Sequence, residues 1–167
     1  ERMDRVRAAL RAQGLTQMIV CDPKSVWYLT GVAVEPYERL LELYLPTEGE
    51  PVLFLNRLFN VPEPPCRTVW HTDTDKPVAQ IAEVVDAGRP LGIDKEWPAK
   101  FLIPLMETHP GMQVVLSSDC VDDCRACKDA EEQALMREAS RINDAVNEAA
   151  KHYIKAGMTE REVAEFI

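Results

Sequence analysis

The sequence predicts an α/β protein: a mixed β-sheet flanked by helices, followed by one long helix of different character. Three observations predict it. Short apolar runs at 18–21, 69–71, 91–94 and 114–116 alternate with helix-patterned segments up to about residue 118, the order expected when helices cover the faces of a sheet. Two further runs, 40–45 and 52–55, flank Thr47-Glu48-Gly49-Glu50-Pro51, a turn composition that makes a hairpin and therefore a mixed sheet. From 129 to 156 there is neither Pro nor Gly, and Leu135, Ala139, Ile142, Val146, Ala149 and Tyr153 recur at three- and four-residue steps as one apolar stripe.

Taken in order, Met3, Val6, Ala9 and Leu10 have helical spacing, and Gly14 stops that helix. Met18-Ile19-Val20-Cys21 reads as a buried strand ended by Asp22-Pro23. Ser25 is placed to cap a short helical turn through Trp27-Tyr28-Leu29, closed by Gly31. After the hairpin, the prolines of 61–65 exclude regular structure and predict a surface connection. Asp75 is expected to cap a helix with Pro77 in its first turn, running through Ile81, Val84 and Val85. A further helix is expected over 98–108, and Pro110-Gly111 turns the chain into the last strand. Asp129 with Glu132 has capping-box spacing at the start of the long helix, Gly157 ends it, and Thr159 with Glu162 repeats the box. The helix so opened reaches only Phe166-Ile167. With no initiator methionine at the front, this predicts a piece of a longer protein: one α/β domain over 1–124 and the opening helices of a second over 125–167.

Composition bounds the partners. The chain has 167 residues, 46% of them hydrophobic and 28% charged, the balance of a globular protein. A formal charge of −9 lacks the clustered Lys and Arg that nucleic acid or an anionic membrane surface requires, and no apolar run reaches the length of a membrane span. Five cysteines, an odd number, with no export signal at the front, predict reduced thiols and a cytoplasmic location.

The chemistry-bearing residues do not assemble a known motif. Cys120-x-x-x-Cys124-x-x-Cys127 has the spacing of the iron–sulfur loop of radical S-adenosylmethionine enzymes. It leads into a long helix and carries Ala126 before the last cysteine, so three ordinary thiols is the better reading; a zinc site would need a fourth ligand. His71, His109 and His152 are far apart and read as surface or hydrogen-bonded core residues. No nucleophile elbow, phosphate loop or dinucleotide fingerprint is present. Asp119, Asp122 and Asp123 suit a helix start, where the dipole favours acids. No catalytic or metal-binding residue is assigned within the chain.

Several segments, in order, resemble one family. Arg5 to Gly14 followed by Met18-Ile19-Val20 resembles its opening helix and strand; Ser25-Val26-Trp27-Tyr28-Leu29-Thr30-Gly31 resembles its "YLTG" segment; Glu38-Arg39-Leu40-Leu41 resembles the start of the next strand, and Leu91-Gly92-Ile93-Asp94 a later one. Arg125-Ala126-Cys127-Lys128-Asp129-Ala130-Glu131-Glu132 resembles the family's R-x-x-K-x-x-x-E junction, and Gly157-Met158-Thr159-Glu160 the start of its following helix. The family is the creatinase, prolidase and aminopeptidase P group of metallopeptidases.

The resemblance implies a small N-terminal α/β domain of the creatinase/prolidase type followed by the first helices of a "pita-bread" catalytic domain. It implies that the full-length protein binds two divalent metal ions (Mn, Co or Zn) through two Asp, one His and two Glu that lie beyond residue 167. It further implies cleavage of the bond between an N-terminal residue and proline by a metal-bridged hydroxide. Homodimers or higher association are implied, with short proline-containing peptides as substrates and this domain leaning over a catalytic site. The loop Val32-Ala33-Val34-Glu35-Pro36-Tyr37-Glu38-Arg39 resembles one that reaches a neighbouring subunit's pocket, where Glu35, Tyr37 and Arg39 would meet a dipeptide's charged ends. The other reading of that loop is a plain turn at Pro36, with Arg39 paired to Glu38 or Glu42. A creatinase-type amidinohydrolase and a non-catalytic protein-binding module remain alternatives for the whole protein. In either case the apolar stripe of 129–156 predicts self-association of the chain.

Overall fold

In a computed structural model that describes residues 1–61 and 63–167, six strands form one sheet in the order β4-β3-β2-β1-β5-β6. Its members are β1 (Gln17–Val20), β2 (Glu42–Pro46), β3 (Val52–Asn56), β4 (Arg67–His71), β5 (Leu91–Ile93) and β6 (Val114–Leu116). β2 runs antiparallel to both β1 and β3, whereas β1–β5, β3–β4 and β5–β6 are parallel. The reversed hairpin strand thus makes the sheet mixed.

Side-chain alternation divides the core in two. Met18 and Val20, Leu43 and Leu45, and Leu53 and Leu55 join one apolar cluster with Val6 and Leu10 of helix α1 (Arg2–Ala12), Val26 of α2 (Pro23–Thr30), and Cys120 and Val121 of a later helix. Their neighbours in sequence, Ile19 and Cys21, Tyr44, and Val52 and Phe54, join the other cluster. There they pack with Ile81 of α3 (Pro77–Ala82) and Leu105 of α4 (Ala99–Thr108). A strand residue points to the face opposite its neighbour's. These central strands are buried on both faces, which explains why they read as continuous apolar runs rather than alternating ones.

Several helix ends differ from those the sequence suggested. Asp22, not Ser25, caps α2: its carboxylate accepts from the Ser25 amide at 2.9 Å and the Ser25 hydroxyl at 2.7 Å, and Pro23 occupies the first turn. Gly31 closes α2 in the left-handed conformation, φ 77°, as expected of it. Asp75 does not cap α3, whose N-cap is Lys76; its carboxylate folds back onto the amide and hydroxyl of Thr72 and closes the preceding turn. The segment entered at Ser118 is a helix of its own, α5 (Asp119–Ala126), separate from α6 (Ala130–Tyr153). α6 ends at Tyr153, four residues before Gly157, because the chain is already extended at Ile154 (ψ 127°). Of the proline-rich connection at 61–65, Pro62 lies outside the described residues.

The chain falls into two compact units, Glu1–Ala126 and Cys127–Ile167. In the second, both capping boxes form: Asp129 with Glu132 on α6, and Thr159 with Glu162 on α7 (Glu160–Phe166). Tyr153 and Phe166 stack with ring centroids 3.9 Å apart, joining α6 to α7. Among the described residues, no helix is long and apolar enough to cross a membrane.

Candidate functional site

Five of the six strands point the same way, and their carboxyl ends lie beside the amino end of the reversed strand β2. Polar side chains that would be out of place in the core gather at that end: Asn56 ends β3, His71 ends β4, Asp94 follows β5, Asp22 follows Cys21 after β1, and Glu42 opens β2. The carboxyl ends of parallel strands are where α/β sheets commonly hold their ligands.

The loop 32–39 lies here. Tyr37 has φ 52° and is 81% exposed, the one positive-φ residue other than glycine among the described residues. The left-handed conformation is unfavourable for a side-chain-bearing residue, so its surroundings must hold it. The Arg39 amide donates to the Pro36 carbonyl at 2.9 Å, closing the turn around Tyr37. The Arg39 guanidinium forms a two-pronged bond with Asp73, Nε to Oδ1 and Nη2 to Oδ2, both 2.9 Å, and Nη1 reaches Glu38 at 3.0 Å. Asp73 also accepts from Asn56 Nδ2 at 2.8 Å. The Arg39 hydrogen bond, followed by that of Asn56, holds the Asp73 carboxyl below its usual range. Behind them, His71 is buried with Nε2 3.2 Å from the Leu40 carbonyl and Nδ1 3.4 Å from Asn56 Nδ2. That pattern is met when Nε2 carries the proton and donates to Leu40 while Nδ1 faces the Asn56 amide.

Of the loop residues singled out in the sequence, Tyr37 therefore stands in solvent and Glu35 is exposed, whereas Arg39 is committed to Asp73 and Glu38. The Glu42 pairing considered for Arg39 does not occur. Glu42 is 1% exposed, and the Trp97 indole N–H donates to its Oε1. Its Oε2 has no partner among the described residues. Burial raises the Glu42 carboxyl to about 8, against the opposing effect of the Trp97 bond. Asp73 was not singled out in the sequence, and Glu42 only as a surface partner for Arg39. Glu42 carried a signal, a lone acid inside the run Leu40-Leu41-Glu42-Leu43-Tyr44-Leu45; Asp73 carried none.

A cavity of about 240 Å³ lies against the loop, lined among others by Glu35, Tyr37, Arg39, Glu42, Trp97 and Phe101. Cys21 also lines it, but burial, followed by the nearby Asp94 and Glu42 carboxylates, pushes its thiol up and leaves it a poor nucleophile. Asp22 is held below the ordinary range although burial acts the other way; the Ser25 hydroxyl and amide and the Arg125 guanidinium, 3.1 Å away, outweigh it.

The remaining candidates are dispersed. Cys120 lies in the core, Cys124 is half-buried and Cys127 exposed. Among the described residues, no three His, Cys, Asp or Glu side chains stand together as metal donors. His109 Nε2 lies 3.0 Å from the Ala82 carbonyl, and His152 pairs on the surface with Glu148. Asp122 has a more specific partner than a helix dipole: the Lys95 ammonium bonds to it.

These features define an α/β domain with a six-stranded mixed sheet that gathers its polar groups at one end. The chain belongs to the Creatinase/Prolidase N-terminal domain family, whose sequence model matches residues 2–127. It is 28% identical over 166 residues to a probable dipeptidase PepE of Mycobacterium bovis, covering 94% of this chain and 44% of that protein. Among solved structures it resembles dipeptidase PepE from Mycobacterium ulcerans (26% identity, TM-score 0.83, 99% of this chain and 47% of that one). It also resembles a recombinant prolidase from Thermococcus sibiricus (25% identity, TM-score 0.85, with the same two coverages). The chain thus spans about half the length of the relatives it matches, and those relatives are peptidases.

Proposed function

We propose that this chain is the N-terminal accessory part of a Xaa-Pro dipeptidase or aminopeptidase, and that the loop around Tyr37 faces peptide substrate, across a subunit boundary in a homodimer. Family membership supports the first half, and the relatives' names support the peptidase class. The observation that carries the second half is the braced, exposed Tyr37. A left-handed aromatic residue held out into solvent by an Asn56–Asp73–Arg39 chain is an arrangement that folding alone does not require.

In this reading the residues of the chain bind and exclude; they do not transfer protons to the scissile bond. Tyr37 would offer an apolar ring and a hydroxyl to a proline-containing peptide, and Glu35 a carboxylate to its ammonium end. Arg39 is a positioning residue, because its charge is already met by Asp73 and Glu38. In this reading hydrolysis belongs to a longer protein of the length its relatives have, of which this chain spans about half.

The test uses that longer protein. Tyr37→Ala is expected to lower kcat/KM for Xaa-Pro dipeptides by at least tenfold and to relax selectivity for peptide length. Arg39→Ala is expected to raise KM while a lysine at that position restores little, since Lys lacks the two-pronged fork. Unchanged kcat/KM and length selectivity in both variants would refute the loop's role. Urea released from creatine in place of proline from Xaa-Pro would refute the peptidase reading itself.

A further inference from the structure

The cavity against the loop has more acidic than basic residues around it. Four acidic residues are among those that line it, Asp22, Glu35, Glu42 and Glu96, against one basic residue, Arg39. Arg39 is neutralised by Asp73 and Glu38, and Asp22 by Arg125. Lys100 on α4 donates to the Glu38 carbonyl and lies 4.8 Å from the Phe101 ring centroid. No ion pair engages Glu35, Glu42 or Glu96 among the described residues.

Glu42 is the informative member. On strand β2 it shares the face of Tyr44, where it would be expected to be apolar, and its Oε2 lacks a partner although the residue is fully enclosed. A buried carboxyl left half-satisfied is a feature that native proteins seldom retain without use. Trp97, Tyr37 and Phe101 complete a lining of aromatic and acidic groups, the chemistry that attracts organic cations. At about 240 Å³ the space is smaller than a drug-sized pocket and suits a group of amino-acid size or less.

We propose that this cavity is a binding site for a small alkylammonium group, with Glu42 as its counter-ion and Trp97, Tyr37 and Phe101 as its walls. The site does not depend on the peptidase reading and is tested without activity. Because the Glu42 carboxyl is raised to about 8, an arriving cation must displace its proton. Cys21 near Glu42, Asp94 near that thiol, and Asp22, Glu35, Glu96, Arg39 and Lys100 around the cavity are the other groups whose charge bears on it.

The experiment is calorimetric titration of the 167-residue chain with n-propylammonium chloride, with n-propanol as the uncharged match. Saturable binding with Kd on the order of 1 mM is expected for the amine, and none for the alcohol. Between pH 6 and 8 affinity should rise by up to about tenfold per pH unit and then level off, because the amine stays charged throughout. Titrations at pH 7 in two buffers of different ionisation heat should count about one proton released per amine bound, a readout that needs no variant. Glu42→Gln, which keeps the acceptor for Trp97, should weaken binding at least tenfold and abolish the proton release. The dipeptide Ala-Ala at pH 7 distinguishes a peptide amino terminus from a free amine: comparable affinity assigns the site to peptides, and binding of propylammonium alone assigns it to free amines. No saturable binding of either, equal binding of propanol, pH-independent affinity, or wild-type binding by folded Glu42→Gln would overturn the proposal.

Discussion

The two units of this chain hold their shape by different physics. In Glu1–Ala126 the central strands are buried on both faces and polar groups are tied across long sequence distances: Gln17 to the carbonyls of Asp86 and Arg89, Asp22 to Arg125. In Cys127–Ile167 almost everything is local. α6 is opened by a capping box and lined by surface pairs three residues apart, such as Arg141 with Glu138 and Lys151 with Glu148. Ala150 is its one buried residue, while Leu135, Met136 and Ile142 stand more than half exposed. Local signals suffice to specify a helix, but they do not give it a core.

The contrast can be broken most forcefully in the first unit. Phe54→Ala removes a fully buried ring from the α3/α4 side of the sheet and is expected to lower unfolding stability in urea by about 3–5 kcal/mol. A loss under 1 kcal/mol would mean that the sheet is not the stabilising core.

Glu42 sharpens the comparison next. Its carboxyl is raised on folding, so the folded state holds a proton that the unfolded chain gives up above its ordinary value near 4.5. Stability must then fall as pH rises from about 4.5 to about 8, by up to about 1.4 kcal/mol per pH unit, and level off above. Glu42→Gln should flatten that slope and be more stable than the wild type at pH 9. A wild-type chain whose stability rises over this window, or a variant with the same slope, would contradict it.

Asp22→Ala removes the α2 cap and the partner of Arg125. It should cost about 1–2 kcal/mol near neutral pH. Since the Asp22 carboxyl is lowered on folding, the difference from wild type should shrink as the pH falls below about 4. The smallest effect belongs to the second unit: Ile142→Glu on exposed α6 should leave the urea midpoint of the first unit unchanged. If the stripe drives self-association, the same change should shift light scattering toward monomer; a wild-type chain that is monomeric at high concentration would dismiss that association.

What could be read from the sequence follows the same division. The capping boxes at Asp129 and Thr159, the stop at Gly31 and the hairpin around Gly49 are encoded within a few residues, and the mixed α/β class followed from them and from the spacing of apolar runs. Partners far apart could not be read so. Asp22 followed by Pro23 reads as a strand end until Ser25 and Arg125 are seen bonded to it. Arg39 pairs with its neighbour Glu38, as could be read, but not with Glu42, and its two-pronged partner Asp73, 34 residues away, could not be read. Of the loop site, Glu35 and Tyr37 were named from resemblance, whereas the Asn56–Asp73 brace and the enclosed Glu42 exist only once β2, β3 and β4 are side by side. The early stop of α6 at Tyr153 was missed for a local reason: Gly157 is the stronger helix terminator in sequence, but the backbone leaves the helix before reaching it.

The sheet order also sets a timetable for synthesis. β1 is near the first end of the chain, yet its neighbour on one side is β5, and the Asp22 amide finds Asp94 across 72 residues. At the usual rate of about 5–20 residues per second, a nascent chain waits on the order of 10 s between making β1 and making the strand that completes its hydrogen bonding. During that wait β2, β3 and β4 with α1, α2 and α3, all made before β5, are what can shield Met18 and Ile19. The hairpin strand inserted next to β1 is therefore a device of biogenesis as well as of architecture: it covers an apolar edge that a purely parallel sheet would leave open.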